Sequence, residues 1–423
     1  MVKMKEKIHV KVKNNSPSIE RALRPISYIS WLLGVGVAHP QKCPKIITII
    51  IRLIHMAVCS YVATCQTLRF IKYFYNSDVD KNYILTYRFH LLLDFLNKMM
   101  CFISILYHIY HGLSQYNKWA KLMDRMKELD QKIREEISMH DQSIKIVETL
   151  AVFITFTYCP LMPIIQALYH SHIFLNPIDE LDLLKMMFNY ILAQLLINSF
   201  AFDVVVYVLY CRFQTVNKLI VQLDELSDVQ WIAFKIRRVR ELYTDICDLA
   251  SMVNDIHGLH LLFCAGNCFT MALTSLFSFF QDENISSRFY LIEHLLCIVY
   301  SMQFYLICWI CTLACEESKR TKRNIHKIIL NCKPVNLDTH EANNQSSIKV
   351  RSSVEDKIGE QNSNCSSSHY PYVVENFLRR NLDQECVIKE INDFSIQLQQ
   401  TRVAFTACDF FEVNNSSYGW VSI

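Results

Sequence analysis

The sequence predicts an all-α, polytopic membrane bundle with an inside N-terminus. Six apolar runs recur along the 423 residues, and the loops between them alternate in Lys and Arg content. The chain is also 52% hydrophobic, more than a soluble protein of this length would readily bury as six such helices. The runs are Ile46 to Leu68, Phe89 to Tyr110, Ile146 to Leu168, Leu183 to Tyr210, Leu259 to Phe280 and Phe289 to Ala314. Each meets the ~17–25 residues that cross ~30 Å of hydrocarbon as a helix.

Residues 1–45 precede the first span and are rich in Lys and Arg. Of these, Met1 to Ser18 are basic and polar, without an apolar core of the kind a signal peptide carries. Further basic clusters follow the second span (Lys118, Lys121, Arg125, Lys127), the fourth (Arg237, Arg238, Arg240) and the sixth (Lys319, Arg320, Lys322, Arg323). The loop from Tyr169 to Asp182 has neither Lys nor Arg, and the fifth-to-sixth loop has only Arg288. By the positive-inside rule the N-terminus and every second loop after it are cytoplasmic. The first-to-second loop fits least well, with Arg69, Lys72, Lys81 and Arg88. The sequon at Asn284 then falls outside, where a glycan can be added.

The membrane domain, 46–314, includes cytoplasmic helical loops. Leu113, Tyr116, Ala120, Met123, Met126, Ile133 and Ile137 recur at helical spacing after the second span. Val239, Leu242, Ile246, Leu249, Val253 and Ile256 do so before the fifth. Residues 315–404 hold a third stripe, Val387, Ile391, Phe394 and Leu398, leading to Phe405. Before it, a polar insert at about 335–371 has too little apolar material to offset ordering entropy. Two readings stand for the stripes: spans simply prolonged into the cytoplasm, or an anchor region that joins subunits.

Composition excludes several classes. Seven glycines form no phosphate cradle, which argues against nucleotide-driven pumping and kinase chemistry. No Ser-His-Asp or Cys-His arrangement gives enzyme chemistry a foothold. Many of the seventeen cysteines sit within spans as small hydrophobes, and Cys308 and Cys311 have no second pair or nearby histidine for a metal. No cofactor, no metal and no nucleic acid is expected.

Polar groups inside the spans are the candidate chemistry. Asp94 and Lys98 stand four apart, carboxylate first, as an intramembrane ion pair on one face. Toward the outer half lie His90, Tyr158, Gln166, Asn189, Tyr190, Gln194, Thr270, Thr274, His294 and Tyr300. Aromatics with a few convergent polar groups suit a small-molecule pocket. Hydrogen bonding between helices, with no ligand, is the other reading of the same residues.

Ile388 to Asn414, IKEINDFSIQLQQTRVAFTACDFFEVN, resembles the approach to the last helix of insect gustatory receptors. The motif residues are Thr406, Ala407, Cys408, Phe411 and Asn414. Arg240 to Leu262, with Asn254 and Gly258, is similar to the same family. Arg24-Pro25 through Trp31 to Gly34 looks like its opening amphipathic helix. The resemblance implies a seven-span, tastant-gated, non-selective cation channel in the plasma membrane of chemosensory neurons. It also implies a homo- or hetero-tetramer with other gustatory receptors, an outer ligand pocket, surrounding membrane lipid, and a pore lined by the last helix. Two departures stand out. Asp409 follows Cys408 where the family commonly has Gly, and the family's closing Thr-Tyr and Gln-Phe pattern does not follow Asn415. Residues 405–423 are therefore expected to start a seventh helix and leave it incomplete. The alternative function is a truncated receptor subunit, or a pseudogene product, that binds ligand or partners without forming a pore.

Overall fold

The computed structural model describes residues 19–40, 43–76, 84–137, 149, 153, 180–223, 229–281, 287–332, 370–408 and 412–414. Eight helices run through them: α1 (Ile19–Leu32), α2 (Lys45–Asn76), α3 (Ile84–Ser114), α4 (Tyr116–Glu136), α5 (Glu180–Leu223), α6 (Val229–Gln281), α7 (Ser287–Cys332) and α8 (Tyr370–Gln400). No strand is present among the described residues; a lone antiparallel bridge joins Thr406 and Glu412.

Among the described residues, five helices are long and apolar enough to cross a membrane: α2, α3, α5, α6 and α7. Apart from Thr149 and Phe153, the expected span at Ile146 to Leu168 lies outside the described residues. So do Asn284 and the insert at about 335–371, except for Tyr370 and Pro371, which begin α8. At 53 residues, α6 is about 80 Å long, far more than the ~30 Å of hydrocarbon requires. Its stripe from Val239 to Ile256 is thus continuous with its span. The earlier stripe belongs instead to a separate helix, because α3 and α4 are broken at Gln115, whose φ of −104° and ψ of 25° leave the helical region.

The described chain divides into two compact units. Met1–Thr215, Leu242–Ser318 and Val403–Ile423 contribute to the first, Val216–Glu241 and Lys319–Arg402 to the second. In the first, α5 is the central helix. Nearly all of its apolar segment is buried, whereas most residues of the α2 and α3 segments are only partly buried or exposed. Cys59 and Val62 of α2, Phe102 and Ile105 of α3, Ile191 and Leu195 of α5, Met271 of α6 and Tyr300 of α7 share one core. Val35, between α1 and α2, belongs to that core too. Its loop runs inside the bundle, and residues 34–40 are all buried. Gly34 and Gly36 both have φ of 68°, a left-handed backbone that suits glycine. A Cβ at Gly36 would also collide with the Asn198 amide of α5.

α4 closes the first unit with Trp119, Leu122, Met123, Met126, Leu129 and Ile133 buried. Its Asp130 meets Arg212 of α5: Nη2 donates to Oδ2 at 3.0 Å, while Nε lies 2.7 Å from Oδ1 as an ion pair too bent for a hydrogen bond. Lys132 reaches Asp245 of α6 at 2.9 Å. In the second unit, Ile236, Ile325, Ile391 and Phe394 are buried. There Arg240 lies 3.2 Å from Glu390 and 3.6 Å from Asp393.

The expected start of a seventh helix at residue 405 differs from the structure. Beyond α8 the described residues 401–408 and 412–414 are not helical. Asn254 of α6 explains the difference. Its Oδ1 accepts the Thr406 backbone N–H at 2.8 Å, and its Nδ2 donates to Thr406 Oγ1 at 3.1 Å. That backbone donor is removed from any helical ladder. The chain then reverses, with the Val413 N–H donating to the Phe405 carbonyl at 2.8 Å.

Candidate functional site

The continuous helices of the first unit hold the described candidate polar residues at fixed heights, and Tyr190, Gln194, Thr270, Thr274 and Tyr300 bond across to a neighbour. Tyr190 and Gln194 stand one turn apart on α5. The Tyr190 hydroxyl lies 2.9 Å from His55 Nε2 of α2. Gln194 is fully buried, and its Nε2 donates to the Leu33 carbonyl at 2.7 Å, tying α5 to the inserted loop. Thr270 of α6 donates to Asn97 Oδ1 of α3 at 3.2 Å, and one turn further Thr274 reaches the Leu93 carbonyl at 3.5 Å. Tyr300 of α7 donates to the Leu192 carbonyl of α5 at 3.0 Å. Asn189 is buried, and His90 lies partly buried with its ring 6.2 Å from that of Phe277. His294 is also partly buried. Tyr158 and Gln166 lie outside the described residues.

Asp94 and Lys98 meet at 2.6 Å on α3, with about a quarter of each side chain exposed at 27%. Among the family-motif residues, Thr406 is clasped by Asn254, Ala407 is buried, and Cys408 has a φ of 51° with Gly258 close beneath it. Asn414 is partly buried, and Phe411 lies outside the described residues.

A cavity of about 10 Å³ opens between α3, α5, α6 and α7, at the lower limit for one water. Tyr300 lines it, together with His108, Ser199, His260, Asn267 and Gln303. Sequence reasoning had not selected these last five. His260 sits at a hub, with Nδ1 3.0 Å from Asn198 Nδ2 and 3.2 Å from His108 Nε2. Ser104 and Asn267 bond to each other at 3.1 Å, and Gln303 donates to Asp203 at 2.6 Å. The signal that could have found them is polar residues three, four or seven positions apart along single spans: Ser104 and His108, Gln194 and Asn198, and His257, His260 and Asn267. Among the described residues no group of three or more His, Cys, Asp or Glu could hold a metal ion. The cluster offers hydrogen bonds to a small polar molecule.

A family model described as 7tm Chemosensory receptor matches residues 23–342. No curated protein matches the chain in sequence. In fold, the chain is similar to the insect olfactory receptor OR5 of Machilis hrabei, solved in complex with eugenol. The two share 11% sequence identity at a TM-score of 0.54, over 96% of this chain and 94% of that one.

Proposed function

Because the chain belongs to the 7tm chemosensory receptor family, we propose that it is a taste receptor subunit, a tastant-gated non-selective cation channel. It is a multi-pass membrane receptor, not an enzyme. The gustatory assignment is supported by the Thr406-Ala407-Cys408 motif and by Asn254 and Gly258, which resemble gustatory receptors and which pack together here. The relative of similar fold is an olfactory receptor that holds eugenol, a small molecule, and a small organic ligand is the corresponding stimulus for this chain.

The observation that carries the mechanism is that candidate ligand residues are bonded across helices, one of them, Tyr300, at the edge of the water-sized cavity. Tyr190 links α5 to α2, Thr270 links α6 to α3, and Tyr300 links α7 to α5. A ligand that enters among His90, Asn189, Tyr190, Gln194, Thr270, Thr274, His294 and Tyr300 must exchange such bonds for its own. Differential bonding of this kind favours one helix arrangement over another, which is what a ligand needs to shift a gating equilibrium. The subunit works in a homo- or hetero-tetramer in the plasma membrane of chemosensory neurons, with α6 and α8 of the second unit joining the copies.

The test is tastant-evoked cation current in cells expressing the chain, alone and with other gustatory receptors. Asn189→Ala and Tyr190→Phe are expected to shift the tastant concentration dependence while surface expression stays near normal. Current evoked only by volatile odorants would overturn the taste assignment. Equal loss of expression in every variant would overturn the pocket.

A further inference from the structure

Arg52 lies in the first spanning helix and is completely buried. Its Nη2 donates to the Gly36 carbonyl at 2.8 Å, while Nε and Nη1 have no hydrogen-bond partner. Among the described residues no carboxylate acts on it; the nearby ionisable group is the Tyr116 phenol. The backbone is cut away to hold the guanidinium. A Cβ on Gly112 would collide with the Gly36 carbonyl and stand 2.8 Å from both Cζ and Nη1 of Arg52.

Among the described residues the surroundings are all of one sign or neutral. His39 stacks on Tyr116 with ring centroids 4.1 Å apart, and both His39 and His111 feel the positive charge of Arg52. Lys45 holds its ammonium 5.9 Å from the Tyr116 ring centroid, and Lys118 acts on His111; both lysines are exposed. A guanidinium sealed from water with two donors unused is expensive, and in membranes such groups pair with an opposite charge. The chain supplies a cradle and a basic rim and, among the described residues, no anion. Arg52 is also two turns into α2 from Lys45, at the end of the helix that the positive-inside rule assigns to the cytoplasm.

We propose that Arg52, with Lys45 and Lys118 at the rim, binds a phosphate group, and that its source is the headgroup of an anionic lipid in the cytoplasmic leaflet. Planar guanidinium donors suit phosphate oxygens, and a basic recess between spans on the cytoplasmic side is where such headgroups bind. The lipid then acts as part of the fold: it fills the donors that the protein leaves open, and it holds α2 against the α1–α2 loop.

The test uses the full chain in nanodiscs of phosphatidylcholine alone, or with phosphatidylserine or phosphatidylinositol bisphosphate added, and in phosphatidylcholine discs with inorganic phosphate in the buffer. Anionic lipid is expected to raise the unfolding midpoint by about 5 °C in the parent chain and to leave Arg52→Gln unmoved. Lys45→Gln/Lys118→Gln, which changes only exposed groups, is expected to weaken the shift even where Arg52→Gln does not fold. Stabilisation by inorganic phosphate equal to that by lipid would overturn the lipid source. An equal shift in the parent and the rim variant, or no shift in the parent, would overturn the site.

Discussion

Position 112 has room for a hydrogen and nothing larger, since an added methyl would meet the Gly36 carbonyl and the Arg52 guanidinium at once. Gly112→Ala is therefore expected to cost about 1–3 kcal/mol, read as a lower unfolding midpoint of the purified protein. His39, in the same recess, gives a pH dependence. Its Nδ1–H donates to the Val37 carbonyl at 2.9 Å, and burial, the largest influence, lowers its pKa from 6.5. The unfolded chain thus takes up a proton at a pH where the folded one does not. The stability His39 contributes is complete above 6.5 and is lost as the pH falls from there towards its lowered folded value. His39→Gln should flatten that acid limb in unfolding midpoints measured across pH. Of these residue-scale features, the pairing of Asp94 with Lys98 was written in the sequence as a four-residue spacing. The recess was not, because Arg52 meets Gly36 and Gly112 only after three separate elements have packed.

Periodicity made the helical elements legible. Every residue of the stripe from Val239 to Ile256 is buried, and so are Val387, Ile391, Phe394 and Leu398. On α4 the legible stripe was incomplete. Trp119 and Asp130 are buried as well, and Asp130 turns inward because Arg212 waits on α5, which no local spacing reveals. The end of α8 escaped for a related reason. The segment around Thr406 has helical neighbours in sequence, yet its backbone donor belongs to Asn254, 152 positions away. Asn254→Ala should leave that N–H unpaired at a cost of about 1–3 kcal/mol. Hydrogen exchange is expected to speed up at Thr406 and across residues 401–408, with little change in α5. Unchanged exchange there would show that the clasp does not hold the reversal.

Charge asymmetry between loops is a property of the whole chain, and it gives an orientation that a tag can test. Epitopes at the N-terminus and near Asn344 should be labelled only after cells are permeabilised. Labelling of an N-terminal tag on intact cells would reverse the assignment. The bundle was legible because apolar length reports crossing, whereas the arrangement of helices was not, since an apolar run does not state whether it faces lipid or protein. α5 and α2 look alike in hydropathy, yet α5 is enclosed while α2 shows Ile46, Ile50, Leu53, Ile54 and Leu68 to its surroundings. That difference divides the molecule by how freely it can drift. A methyl out of place on α5 has many neighbours to offend, but the outward face of α2 asks its occupants only to be oily. In a saturation library sorted for surface display, α5 should hold to its residues while α2 trades Ile, Leu, Val and Phe almost without penalty. Two receptors of this architecture could then grow unrecognisable to each other along their outer walls and still keep the same pillar.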